Sequence, residues 1–97
     1  MNKQIVELEE RIRRIKAALQ EIGDIRPGVL SRQGPSGKEY YQVSYTHKMR
    51  SRTEYVRTAS VARVKKEIQA YKRFKALTQK WIDLALELSK IRGKEGL

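Results

Sequence analysis

The 97-residue sequence contains no cysteine, which excludes disulfide bonds, thiolate metal sites and a cysteine nucleophile. Histidine occurs once, at His47, and a catalytic role for it would need an orienting carboxylate and a nucleophile. There is no glycine-rich phosphate loop, no paired carboxylates suited to two-metal chemistry and no metal-ligand spacing. We therefore expect a protein that is not an enzyme, with no catalytic residue, no bound metal and no cofactor.

Long apolar runs are also missing. No stretch approaches the roughly 18 residues that a membrane-spanning helix requires. The first ten residues, MNKQIVELEE, lack the apolar region of a signal peptide. We expect a soluble cytoplasmic protein with no membrane partner, associated with the nucleoid if it binds DNA.

Acidic residues are scarce. Twenty-two Lys and Arg face eleven Asp and Glu, so the net charge is +11 and the isoelectric point is near 10.2. The net charge is +1 over residues 1–23, +4 over 24–57 and +6 over 58–97. Most of the excess positive charge therefore lies C-terminal to the first predicted helix. Solubility alone needs less charge than this. The balance instead favours a polyanionic partner, because cations placed near phosphates release condensed counterions.

Two helices are predicted at the ends of the chain. Apolar residues recur at heptad spacing from Ile5 to Ile22, which predicts a helix over 2–22. A second series of three- and four-residue steps, from Val61 to Ile91, predicts a long helix over 60–92, followed by a tail over 93–97. We expect the first helix to pack against the second half of the long helix as an antiparallel coiled coil. We expect the first half of the long helix to cover one face of a β-hairpin that lies between the helices in sequence.

That middle segment has the composition of loops and strands. Residues 24–39 are rich in Gly and Pro and are predicted as a loop, with 29–33 as a short strand. Residues 40–57 are rich in Tyr, Val and Thr and are predicted as a β-hairpin, which the short strand would extend to a three-stranded meander. The strand register stays open, since a slip of one residue exchanges the faces. The expected fold is a single, mostly helical α+β domain over residues 1–97.

Basic and aromatic residues alternate along the hairpin, and basic residues continue onto the long helix. A two-stranded ribbon fits the major groove of DNA, where Gln42 would read adenine and Arg52 guanine if their face is exposed. On the helix, Lys66 and Arg73 are seven residues apart, as are Lys65 and Lys72, which predicts adjacent rows. An ordinary amphipathic hairpin, with tyrosines on the helix and arginines in solvent, is the simpler alternative. The candidate nucleic-acid contacts are Arg32, Lys38, Gln42, His47, Lys48, Arg50, Arg52, Arg57, Arg63, Lys65, Lys66, Lys72 and Arg73.

The run YYQVSYTHKMRSRTEYVR, residues 40–57, and the run AYKRFKALTQKWIDLALELSKI, residues 70–91, resemble a family of short bacterial and archaeal proteins of unknown function, often encoded near transposases. The resemblance covers roughly residues 25–91. It implies an N-terminal helix, a hairpin and a long C-terminal helix, in a mobile-element setting. It departs at residues 33–37, where relatives carry a cysteine-containing loop, and at Met49, where they carry Gly. A looser similarity links the strand meander and helix to the arm-binding domains of phage-type integrases, which lay a sheet in the major groove.

The expected function is therefore that of a DNA-binding accessory factor of a mobile element or phage, gripping phosphates through the hairpin and the adjacent helix face. Composition does not separate DNA from RNA, so an RNA-binding protein is an alternative. A third hypothesis, from another class, is a coiled-coil adaptor whose seams form a homodimer or bind a helical protein partner.

Overall fold

The computed structural model describes residues 2–97, and Met1 lies outside the described residues. The elements, in chain order, are helix α1 (Lys3–Gln20), strands β1 (Val29–Gln33), β2 (Tyr40–His47) and β3 (Arg50–Val56), a 3₁₀ turn (Thr58–Ser60) and helix α2 (Val61–Lys94). The α+β class, the two helices, the hairpin and the third strand are confirmed. The chain divides into two compact units, a helical unit of residues 2–22 and Arg73–Leu97 and a sheet unit of Gly23–Lys72, and α2 contributes to both.

In the helical unit, α1 packs against the second half of α2 in antiparallel order. The amide of Asn2 donates a 2.7 Å hydrogen bond to Glu95, Arg92 pairs with Glu9 at 3.1 Å, and the ammonium of Lys16 lies 5.1 Å from the centre of the Trp81 ring. The core between the helices is made of the buried residues Ile5, Leu8, Ile12, Ile15, Leu84 and Leu88. Apolar residues of both helices thus form one core, while the coiled-coil packing of the two helices stays a prediction.

The helix ends differ from the predicted ones. Asn2 caps α1 by accepting hydrogen bonds from the backbone N–H groups of Gln4 and Ile5, and the helix ends at Gln20, two residues early. Helix α2 extends to Lys94, so the predicted tail over 93–97 is wrong for its first two residues. The helix passes through Gly93 and closes at Gly96, whose φ of +75° allows the Leu97 N–H to bond the Arg92 carbonyl at 2.8 Å.

In the sheet unit, the strands form an antiparallel sheet in the order β1-β2-β3. Leu30 pairs with Val43, and Tyr41 pairs with Val56, which puts these apolar side chains on one face. The core of this unit is formed by that face and the first turns of α2, with Val43, Val56, Val64 and Ile68 buried. The prediction that the first half of the long helix covers the hairpin is confirmed.

Gly28 permits the close approach of the chain at the start of β1. Its φ is +139°, and a Cβ atom there would lie 2.7 Å from Cγ2 of Val43. The residue therefore needs glycine both for its backbone conformation and for the space beside the core. Across residues 2–97, neither helix contains a segment with the length and apolar character needed to span a bilayer.

Candidate nucleic-acid interface

The two faces of the sheet differ in chemistry. Because side chains alternate along a strand, the observed register assigns each residue to a face. One face packs on α2 through the apolar core described above, and we call the other the open face. Nine of its ten side chains carry a hydroxyl or an amide, and none carries a charge. The ten are Val29, Ser31, Gln33, Tyr40, Gln42, Ser44, Thr46, Ser51, Thr53 and Tyr55.

Gln42 and Arg52, the two residues predicted to read bases, lie on opposite faces. Gln42 pairs with Tyr55 on the open face, whereas Arg52 pairs with Tyr45 on the face that packs against α2. The expectation that both read bases from one exposed face is therefore wrong. The cause is the register, which a two-residue turn fixes and which the sequence pattern left open.

That turn consists of Lys48 and Met49, between the paired residues His47 and Arg50. Lys48 has a φ of +51° and Met49 a φ of +65°, the left-handed conformation that a tight hairpin turn requires and that Asn and Gly adopt most easily. The Met49 side chain is 98% exposed. The tip of the hairpin thus combines a strained backbone with a cation and an apolar side chain in solvent.

The sheet unit carries most of the excess charge. It holds eleven basic and four acidic residues, a net charge of +7, against +4 for the helical unit. Three of its four carboxylates each pair with one arginine: Glu54 with Arg26, Glu39 with Arg32 at 2.8 Å, and Glu67 with Arg63 at 2.9 Å. Eight cations of this unit form no ion pair with any residue from 2 to 97, namely Lys38, Lys48, Arg50, Arg52, Arg57, Lys65, Lys66 and Lys72.

Two groups of these cations lie next to the two outer strands of the sheet. Arg50 and Arg52 are on the outer strand β3 and Arg57 directly follows it, and we call these three the β3 flank. Lys65 and Lys72, one heptad apart on α2, line a shallow depression together with Val29 of β1, and we call these two the β1 flank. Arg50 and Arg52 belong to the helix-facing side of the sheet, and Lys65 and Lys72 lie on the helix itself, so these four cations are on the side opposite to the open face.

The remaining candidates are distributed around these groups. Lys38 lies in the β1–β2 connection, Lys48 in the hairpin turn, and His47 is exposed at the end of β2. Lys66 follows Lys65 by about 100° around α2, so it does not share its row.

Three further candidates lie outside the two flanks for different reasons. Arg73 is exposed on α2 but belongs to the helical unit, so it lies outside the candidate interface of the sheet unit. Arg32 and Arg63 are in the sheet unit, but carboxylates already engage their guanidinium groups. Their ion pairs make them weaker candidates for a phosphate contact.

A small network on the helix-facing side joins the hairpin strands to the loop that precedes β1. Glu54 accepts a 2.5 Å hydrogen bond from the Tyr45 hydroxyl and pairs with Arg26. The Tyr45 hydrogen bond, followed by that from Arg26, lowers the pKa of Glu54. The same hydrogen bond raises the pKa of Tyr45. In β1, the hydrogen bond to Glu39 raises the pKa of Arg32, which stays charged.

Sequence reasoning missed Val29, Ser31 and Thr53 as surface candidates, and it did not assign Tyr55 to a face. Val29 is 68% exposed and Tyr55 is 67% exposed, both on the open face. The ring of Tyr55 lies 6.5 Å from that of Tyr40, centre to centre. The signal that finds Thr53 and Tyr55 is the hairpin register, which the two turn residues fix, whereas Val29 and Ser31 also depend on the pairing of β1 with β2.

No three His, Cys, Asp or Glu side chains within residues 2–97 come together as metal ligands. Comparison of the chain with protein-family models, with curated proteins and with solved structures gives no match. The family resemblance carried by residues 40–57 and 70–91 therefore stays a prediction.

Proposed function

We propose that the protein binds duplex DNA without catalysing a reaction, with its sheet unit against the DNA. The observation that carries the proposal is the set of eight sheet-unit cations that form no ion pair with any carboxylate within residues 2–97. Ion pairs within the protein engage three of the four acidic residues of the unit, so the remaining positive charge is available to an external polyanion. Each such cation that meets a phosphate releases a counterion and adds to the affinity.

The width of the sheet favours the major groove. Neighbouring strands are spaced by about 4.8 Å, so the outer strands β1 and β3 lie roughly 10 Å apart. The major groove of B-form DNA is about 12 Å wide and the minor groove about 6 Å. With the open face toward the base edges, the long side chains of the β1 flank and the β3 flank would reach the two phosphate backbones past the outer strands of the sheet.

The same dimension favours DNA over RNA. In A-form RNA the major groove is deep and narrow, and protein side chains do not reach its base edges. A three-stranded sheet with cations next to both outer strands suits a wide groove. A role as accessory factor of a mobile element or phage, and an association with the nucleoid, rest on the sequence resemblance and on DNA binding itself.

A helical protein partner is a second candidate function, favoured by one observation in the helical unit. Ile82 and Leu86 are four residues apart on α2, and more than half of each side chain is exposed. Residues at this spacing share a helix face. If this candidate function is correct, changing Leu86 to Asp would abolish self-association or capture of a partner. The salt concentration would have little influence on that association.

The experiment that tests the proposal is a binding titration of the protein with duplex DNA, single-stranded DNA and duplex RNA of equal length, across a salt series. We expect duplex DNA to bind most tightly, with a logarithm of affinity that falls by about 0.9 per phosphate contact for each tenfold rise in salt. Absence of binding to duplex DNA at low ionic strength contradicts the proposal. Tighter binding of duplex RNA contradicts the assignment to DNA.

A further inference from the structure

We infer that the open face selects A·T base pairs over G·C base pairs in the major groove, an inference that rests on the proposed function. The open face has no Arg or Lys within its three strands. Arginine and lysine are the side chains that most often read guanine, through its O6 and N7 atoms. The arginine predicted to do so, Arg52, lies on the opposite face. The face that meets the base edges therefore lacks the usual guanine contact.

The centre of the open face instead presents an amide suited to adenine. Gln42 lies on the central strand, between Ser31 of β1 and Tyr55 of β3. Its carboxamide makes no hydrogen bond within residues 2–97, whereas the amide of Gln33 donates a 3.1 Å hydrogen bond to Ser31. A glutamine amide bonds adenine in two places, donating to N7 and accepting from the N6 amino group. Gln42 is the glutamine of this face that is free to do so.

Apolar groups beside Gln42 suit the partner base. Val29 and Tyr55, one on each outer strand, are large hydrophobic side chains of the open face, and about two thirds of each is exposed. Thymine differs from the other bases in the major groove by its 5-methyl group, which apolar side chains contact favourably. One face thus carries a group that can bind adenine and groups that can contact the thymine methyl. Because that face has no Arg or Lys to bind guanine, we expect it to favour A·T pairs.

The test measures the affinity of the full-length protein for four duplexes of equal length. The first is A·T-rich and the second G·C-rich. The third is the A·T-rich duplex with deoxyuridine in place of thymidine, which removes the methyl group. The fourth is the A·T-rich duplex with 7-deazaadenine in place of adenine, which removes N7. We expect the A·T-rich duplex to bind roughly fivefold more tightly than the G·C-rich one, and each modified duplex to show a smaller preference.

A pair of glutamine variants assigns the effect to the open face. We expect Gln42→Ala to remove most of the preference without changing the salt dependence, because the phosphate contacts remain. Gln20→Ala, at the end of α1, is the matched control and should keep the preference. Retention of the preference in Gln42→Ala overturns the inference.

The outcomes separate this inference from the proposed function. Equal, salt-dependent binding of the A·T-rich and G·C-rich duplexes overturns the inference and leaves DNA binding intact. A preference that is undiminished in both modified duplexes also overturns it, since recognition would then occur outside the major groove. Absence of binding to all four duplexes overturns the proposed function itself.

Discussion

Tyr45 and Glu54 join the two strands of the hairpin through a hydrogen bond of 2.5 Å from the tyrosine hydroxyl to the carboxylate. The pair is diagonal across the strands, because Tyr45 lies opposite Arg52 and Glu54 lies opposite Val43. Glu54 also binds Arg26, which precedes β1. One carboxylate thus ties the outer strand to the central strand and to the loop that leads into the sheet.

This network makes stability depend on pH at the acidic end. The pKa of Glu54 is lower in the folded protein than in the unfolded chain, so its stabilisation is complete above the unfolded-state pKa and is lost as the pH falls through the folded-state pKa. We expect Glu54→Gln to lower the midpoint of thermal unfolding at neutral pH. The midpoint of this variant should also fall less than that of the unmodified protein as the pH is lowered through the pKa of Glu54. Asp24→Asn removes an acidic residue of the same unit that has no ion pair among residues 2–97, and should leave the decline unchanged.

Two valines on opposite faces of the sheet should respond differently to truncation. Val43 is fully buried in a core that includes Val64, whereas Val29 is largely exposed. We expect Val43→Ala to lower the free energy of unfolding by about 2 kcal/mol, because it removes buried methyl groups and leaves a cavity. Val29→Ala should change it by less than about 0.5 kcal/mol. Urea unfolding measures both, and equal destabilisation would contradict the assignment of the faces.

The hairpin turn offers a stabilising change. Met49 holds a left-handed φ of +65°, which costs a residue with a Cβ atom about 1 kcal/mol relative to glycine. We expect Met49→Gly to raise the free energy of unfolding by about that amount. Met49→Ala removes the same side chain but keeps Cβ, so it should give no gain. A gain from alanine equal to that from glycine would show that the exposed side chain, and not the backbone, carries the cost.

The elements were predictable because their patterns are strong. Heptad spacing marks both helices, and the Tyr-, Val- and Thr-rich run marks the hairpin. The ends of the helices were less predictable, since Gly93 continues α2 where a stop was expected and Gly96 closes it. The faces of the hairpin were not predictable, because Lys48 and Met49 lack the Asn or Gly that usually identifies a two-residue turn.

The candidate site was predictable in composition but not in arrangement. The cationic excess follows from the sequence, whereas the ion pairs of Arg32 and Arg63 depend on which carboxylates the fold brings near them. Separation of an uncharged face from cationic flanks depends on the register. Alternation along a strand relates residues of that strand only, so Gln42 and Arg52 could not be assigned to faces relative to each other.

The central claim is that the sheet-unit cations that form no ion pair bind DNA phosphates. The most direct test measures how the affinity for duplex DNA depends on salt in two variants that lose the same number of charges. One variant changes Arg50, Arg52 and Arg57 of the β3 flank to Gln, and the other changes Lys3, Lys90 and Lys94 of the helical unit to Gln. We predict that the first reduces the slope of log affinity against log salt by about 0.9 for each phosphate contact that the substitutions remove, while the second leaves the slope close to that of the unmodified protein. Equal slopes for the two variants would contradict the claim, because net charge alone would then account for the binding.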